Sequence, residues 1–332
     1  MSVDAIPYTA SRAHLGDQPI VVLTAPGRRL RIALRGAALL DYEVIQAGVV
    51  HDLADGHRNA AEIVARPGSR FAIMVPFGGR IADARYTFDK QPQDLQPGVS
   101  GTDRASRHGF VRDAEFTVTT VQADGKSARV SLATSILPQP GYPHAIDLLL
   151  EFTLDAAGLT LQACMRNVGD SAAPCFFGWH PYFRVGDGKV DDWQLQIPAQ
   201  TLIRTGADMI ALAGDAAYVP LDAAPALDFR QLRPIGDSIL DQGYTDLDAD
   251  ADGRMRTRLR NPGSGLSIAI WQESGVMHAF TSDTVSRDVR RAIALEPMEC
   301  MADAFNRPEC AQAIRLEAGA ERSFRCGVEL TA

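Results

Sequence analysis

Between residues 146 and 154 every even-numbered position is apolar: Ile146, Leu148, Leu150, Phe152 and Leu154. Asp147, Glu151 and Thr153 stand between them. Successive side chains of a strand point to opposite faces, so this pattern buries one face of a sheet and leaves the other wetter. Asp155-Ala156-Ala157-Gly158 supplies a turn, and the alternation resumes at Leu159, Leu161, Ala163 and Met165. Period-two alternation on both sides of a glycine-containing turn predicts a β-hairpin. A second hairpin is expected where Met255, Thr257 and Leu259 alternate with arginines, Asn261-Pro262-Gly263-Ser264-Gly265 turns the chain, and Leu266, Ile268 and Ile270 follow. Phe324, Cys326, Val328 and Leu330 alternate as well, and residues 86–88, 116–121 and 128–136 look like shorter strands. Helical periodicity is poor, with room for a turn or two at 60–64 and within 207–217. Many short strands separated by turn signals predict an all-β antiparallel sandwich. With no linker, low-complexity tract or repeat, one domain over residues 1–332 is expected.

Composition limits the partners. A formal net charge of -8 argues against nucleic acid or an anionic membrane as the main partner. A small anionic ligand stays compatible, because one local arginine pocket would suffice. Arg287, Arg290 and Arg291 are the nearest thing to a basic cluster and read as a solvated face. The cysteines, Cys164, Cys175, Cys300, Cys310 and Cys326, are odd in number and lack Cys-x-x-Cys spacing. Reduced, mostly buried thiols in a cytoplasmic protein are therefore expected, without a zinc site. Residues 1–15 lack the basic start and apolar run of a signal peptide, and no apolar stretch has bilayer-spanning length.

Several motif fragments fail on their context. Asp248-Ala249-Asp250-Ala251-Asp252-Gly253 begins like a calcium loop, but the twelfth position is Leu259 and a strand pattern follows. A solvated hairpin turn is the expected reading. Gly186-Asp187-Gly188-Lys189 is too short for a P-loop. Nucleotide, zinc-protease and serine-elbow signatures are missing, so acid/base chemistry without a cofactor is the simplest enzymatic reading.

Two polar residues stand out by setting. His180, in Gly178-Trp179-His180-Pro181-Tyr182-Phe183, and Glu296, in Ala294-Leu295-Glu296-Pro297, each close an apolar strand-like run at a proline. Proline is expected to end or bend a strand there. Arg80 follows Pro76-Phe77-Gly78-Gly79, His108 precedes Gly109 after the polar stretch 91–107, and Asp241 precedes Gln242-Gly243-Tyr244 at an expected turn. Taken singly, each has an ordinary structural reading: a surface ion pair for Arg80, a hydrogen-bonded structural histidine for His108 or His180, a turn former for Asp241, a loop carboxylate for Glu296.

Taken together, these segments resemble the aldose 1-epimerase, or galactose mutarotase, family. Gly79-Arg80-Ile81 is similar to its Asn-Arg-Ile segment, His108-Gly109-Phe110 to its His-Gly segment, and Gly141-Tyr142-Pro143 to its Gly-Tyr-Pro loop. His180-Pro181-Tyr182-Phe183 resembles its His-Pro-Tyr-Phe signature, and Glu296-Pro297 with Asp303-Ala304-Phe305-Asn306 its Glu-Pro segment. The resemblance implies a galactose mutarotase-like β-supersandwich and interconversion of the α and β anomers of a free aldose, with no cofactor. It implies His180 as the acid that protonates the ring oxygen and Glu296 as the base that takes the C1 hydroxyl proton. Arg80, His108 and Asp241 would bind substrate. The expected partner is a small sugar, with neither nucleic acid nor membrane, for a monomer or homodimer. The chain departs from the pattern at Gly79, where the family has Asn, and at Glu115-Phe116, where many members have Trp. Trp179 is open to two readings, a platform for a sugar face or core packing. A phosphorylated hexose is an alternative substrate if Arg287 or Arg290 reaches the pocket rim, and a non-catalytic sugar binder is an alternative of another class.

Overall fold

The computed structural model describes residues 7–101 and 104–331. Of the stretch 1–15, residues 1–6 lie outside the described residues, and Thr9–Leu15 is a strand. Thr102 and Asp103 of the polar stretch 91–107 lie outside the described residues.

The alternating runs pair as their patterns require. Ile146–Asp155 and Gly158–Asn167 form an antiparallel hairpin, with Ile146 opposite Asn167 and Leu154 opposite Leu159. Ile146, Leu148, Leu150, Phe152 and Leu154 are all buried. Each such side chain contributes about 1.5–3 kcal/mol relative to exposure, so a one-residue register slip would forfeit the whole set at once. Met255–Arg260 and Ser267–Gln272 make the second hairpin. Its turn is fixed by Asn261, whose Oδ1 accepts from Gly263 N at 2.9 Å while its Nδ2 donates to Val185 O at 2.8 Å. Glu321–Leu330 lies between the hairpins and joins them into one nine-stranded antiparallel sheet.

A second sheet has eight strands. Its order is Tyr218–Pro220, Ala199–Ile203, Asp241–Leu247, Val276–Phe280, Ile293–Met298, Gly178–His180 and Ala72–Met74, with Tyr182–Phe183 also beside Ile293–Met298. A five-stranded sheet runs from Thr9–Leu15 to Val49–Asp52. One continuous apolar cluster contains residues of all three sheets, among them Leu23, Leu150 and Leu295. The architecture is the expected β-sandwich. The short helix at 60–64 is present as Ala60–Ala65, its start capped by Asn59 Oδ1, which accepts from Glu62 N at 3.0 Å. Within 207–217 only Gly214–Ala217 is helical, as a 3-10 turn. None of the described helices is long and apolar enough to cross a membrane. The five cysteines are unpaired, four of them buried and Cys164 partly so.

Three local expectations are corrected. Pro297 does not end its strand, which continues to Met298. Leu295 N and Glu299 N donate toward the His180 side, to Pro181 O at 3.2 Å and Phe177 O at 2.9 Å. Pro297 stands midway between them, so its missing N–H falls on that same side, where Pro181 interrupts the neighbouring strand. Gln242-Gly243-Tyr244 is no turn but part of the strand Asp241–Leu247. Gly243 is accommodated because a Cβ there would press on Ile203 Cβ at 3.2 Å. The aspartate-rich stretch 248–253 is not a hairpin turn either, since the strands it joins belong to different sheets. Its carboxylates are matched by arginines: Asp252 with Arg256 at 2.7 Å and Asp250 with Arg258 at 2.7 Å.

Candidate active site

The strand pair at 180 and 296 explains the central geometry. Gly178 lies opposite Met298 and Tyr182 opposite Ala294, on either side of the Pro181 break. That register sets His180 opposite Glu296. On the far side of the same strand, His278 is the direct partner of Glu296. A glutamate is thus flanked across the sheet by two histidines. Side chains directly opposite one another share a face and touch, and His180 Nε2 stands 3.3 Å from Glu296 Oε1. Alternation assigns the other face to the core: Trp179, Met277, Ala279 and Leu295 are fully buried. Trp179 therefore takes the core reading, packed on Phe71 and Phe183 with ring centroids 5.8 and 6.1 Å away.

All five residues singled out in the sequence, Arg80, His108, His180, Asp241 and Glu296, line one cleft of about 240 Å³. His278, Arg107, Phe280 and Met298 line it too. His180 and Glu296 are its buried polar members, 6% and 4% exposed. His180 stacks on Tyr182 with centroids 5.1 Å apart and meets the edge of His108 at 5.1 Å. Its Nδ1 is buried without a protein partner. A buried polar atom left unpaired costs free energy and is a place for a ligand to contribute.

The sequence reading missed His278. Its Nε2 is 2.8 Å from Asp241 Oδ1, so the expected substrate-binding aspartate arrives already paired. The signal was there in the run Val276–Phe280: a lone polar residue on an apolar strand, as at His180. Without a proline beside it, nothing set it apart.

Electrostatics follow from burial. Desolvation disfavours charge on both central groups. It pushes the Glu296 carboxyl up to about 8, with His278 pulling down and Asp241 pushing up. It pushes His180 down to about 3, with the neighbouring His278 acting in the same direction. His108 also lies well below the ordinary histidine range through burial and the adjacent His180. For His278, burial alone would lower the value, but the Asp241 hydrogen bond and the Glu296 and Asp241 charges outweigh it and raise it.

Loops place the remaining residues. His108 has φ +58 and Gly109 φ +64, a left-handed pair that swings the imidazole into the cleft. His108 N donates to Gly79 O at 2.9 Å and its Nδ1 sits 2.9 Å from Met74 Sδ. A Cβ on Gly109 would lie 2.1 Å from Val75 O. Gly109→Ala is therefore expected to cost more than the roughly 1–2 kcal/mol of left-handed strain alone. A calorimetric melting temperature clearly below that of the wild type checks this. Arg80 is fixed through its backbone: Asp303 N donates to Arg80 O at 2.7 Å, and Asp303 Oδ1 accepts from Ala82 N at 2.9 Å and Asn306 Nδ2 at 2.8 Å. The 303–306 segment is thus a clamp on the Arg80 strand.

Both departures from the family pattern have physical settings. Gly79 has φ +65, and a Cβ there would meet Ala302 Cβ at 2.6 Å, so the position has no room for Asn. Phe116 is buried in the core, and Glu115 pairs with Arg35 at 3.0 Å; neither lines the cleft. Tyr142 is also structural, buried with its hydroxyl donating to Pro174 O at 2.9 Å. The arginine cluster is not a solvated face. Arg287 pairs with buried Asp55 at 2.8 Å, and Arg290 with Asp283 at 2.7 Å and Asp191 at 2.8 Å. Only Arg291 of the three is exposed, and none lines the cleft.

The fold and the sequence have known counterparts. The model of the family described as aldose 1-epimerase matches residues 19–329. The chain belongs to the aldose 1-epimerase family. Among solved structures, a galactose mutarotase-like protein from Clostridium acetobutylicum superposes with a TM-score of 0.84 at 12% identity, over 98% of this chain and 99% of the other. A galactose 1-epimerase from Lactobacillus acidophilus gives 0.79 at 15% identity, over 99% of this chain and 100% of the other. These likenesses establish the galactose mutarotase-like fold. The Escherichia coli K12 protein named Uncharacterized protein YihR is 24% identical over 237 residues, 70% of this chain and 71% of its own length. Aldose 1-epimerases are isomerases of sugars, and this chain shares that family's general type.

Proposed function

We propose that the chain is a mutarotase acting on a free aldose, with His180 and Glu296 as its proton-transfer pair and Arg80, His108, Asp241 and His278 binding the sugar. The observation that carries this reading is the 3.3 Å separation of His180 Nε2 and Glu296 Oε1 at the buried end of the cleft. In a cyclic hemiacetal the ring oxygen and the C1 hydroxyl hang on one carbon. The group that gives a proton to one and the group that takes it from the other must therefore lie close together. An adjacent His–Glu pair meets that need.

The proton count fits as well. With His180 neutral above about 3 and Glu296 protonated below about 8, the pair holds one proton at neutral pH. In the empty cleft that proton rests on Glu296. Sugar hydroxyls donating to the carboxylate, with His278 beside it, favour its ionised form, so the proton passes to His180. His180 then gives it to the ring oxygen while Glu296 takes the C1 hydroxyl proton. The C1–O5 bond opens, the aldehyde turns about C1–C2, and reclosure with the two roles exchanged yields the other anomer. Protons and electrons balance without a redox partner.

In this reading the chain works as one domain, supported by the continuous apolar cluster that contains residues of all three larger sheets. A cleft of about 240 Å³ lies below the roughly 300–1,000 Å³ typical of drug-sized ligands, which suits a monosaccharide. Polarimetry on freshly dissolved α-aldoses tests the proposal. Equilibration faster than buffer supports it, and buffer-rate equilibration with every aldose tried refutes it. Binding without acceleration would favour a non-catalytic sugar binder.

A further inference from the structure

Two arginines of the cleft face each other, and neither is ion-paired among the described residues. Arg80–Ala82 and Ala105–Arg107 form a two-stranded antiparallel ribbon in which Arg107 is the direct partner of Arg80. Both residues line the cleft that holds His180 and Glu296. Among the described residues, neither guanidinium has a carboxylate within salt-bridge distance. Many other arginines of the chain are ion-paired, as is Arg256 with Asp250, Asp252 and Glu329; what sets Arg80 and Arg107 apart is that two unpaired arginines stand directly opposite each other in one cleft. Like charges directly opposite in a sheet are destabilising. Burial lowers the pKa of Arg80, and the charge of Arg107 lowers it further. The charges of Asp241 and Asp208 offset this only in part: Asp241 is bonded to His278 at 2.8 Å, and Glu296 is buried beside His180. This concentration of positive charge sits in a chain of net charge -8.

We infer that Arg107, together with Arg80, receives an anionic group on the sugar, so that the substrate is a hexose carrying a carboxylate, phosphate or sulfonate rather than a neutral one. The inference rests on the mutarotase reading of the same cleft and puts an anionic hexose in place of the uncharged free aldose as its substrate. The anion belongs on C6, the one pyranose carbon outside the ring, where it leaves the hemiacetal and the ring hydroxyls intact. Two guanidinium forks can each donate a pair of N–H groups to such an oxyanion. The anion would also remove the repulsion that the empty ribbon bears. Arg287 and Arg290, the arginines to which the sequence pointed for this task, are already committed to Asp55, Asp191 and Asp283.

Calorimetric binding and NMR anomer exchange on the wild-type chain test this with four probes: glucose, glucuronate, glucose 6-phosphate and 6-deoxy-6-sulfoglucose. At least one anionic hexose is expected to bind about tenfold or more tighter than glucose, and the preference to shrink as KCl is raised. Which anion leads separates the three sources of charge. Arg107→Ala is expected to collapse the anionic-to-neutral affinity ratio toward one, and Arg107→Lys to keep part of it. Equal or weaker binding of all three anions relative to glucose overturns the inference, as does an anionic preference that Arg107→Ala leaves untouched. Tight anion binding without anomer exchange leaves the anion site standing and refutes the mutarotase reading. Exchange of neutral and anionic sugars with equal affinity does the reverse.

Discussion

Glu296→Gln is expected to lower the anomerisation kcat by about 10²–10⁴-fold, the usual contribution of a positioned acid or base. The amide matches the carboxyl in shape but cannot cycle a proton, so the fold should stay intact. The same substitution makes a prediction about stability, with a sign set by burial. The folded chain holds the Glu296 proton up to about 8, whereas the unfolded chain releases it near the ordinary glutamate value of 4.5. Between those values the native state binds more protons than the unfolded state, so stability falls as pH rises through the window. The loss is roughly 1.4 kcal/mol for each unit of separation. Gln carries no such penalty. Glu296→Gln should therefore melt above the wild type at pH 9, with a smaller gap at pH 6. Melting curves at the two pH values check this. A variant that is inactive and less stable at pH 9 would mean that Glu296 is not held as a buried, proton-retaining acid.

His180→Gln carries the second large effect. Removing the imidazole takes away the proton relay between Glu296 and the ring oxygen, and a kcat loss of about 10²–10⁴-fold is again expected. The wild-type pH profile belongs to the same prediction. The pair needs one proton, which it loses above about 8 through Glu296, so kcat/KM should be level near neutrality and fall on the alkaline side. On the acid side His180 stays neutral down to about 3. The unfolded chain takes up that proton below the ordinary histidine value of 6.5, so His180 makes the native state lose stability as pH drops from there toward 3. His180→Gln should lessen that acid sensitivity. An active variant, or a wild-type profile that rises through pH 9, would reassign the acid.

Much of the fold was legible because strand periodicity is local. The 146–165 hairpin needed only alternation and a glycine turn, and the register followed. The sheet memberships were not legible, since 248–253 looks like any turn until the flanking strands are seen to leave for different sheets. The proline argument located His180 correctly, yet it misread Glu296, whose strand passes through Pro297 because the missing donor faces a gap. In the site, residues with distinctive neighbours were found and plain ones were not. His278, between Met277 and Ala279, acquires its meaning from cross-strand register with Glu296. Arg107 was hidden for the same reason, being notable only as the partner opposite Arg80.

The acid/base account is tested most directly by NMR exchange spectroscopy of α and β anomers, run side by side with wild type and Glu296→Gln on glucose and on an anionic hexose. The account predicts exchange well above the buffer rate with wild type for at least one of these sugars, and exchange at the buffer rate with Glu296→Gln. Buffer-rate exchange with wild type for both, or equal acceleration by the two proteins, would contradict it.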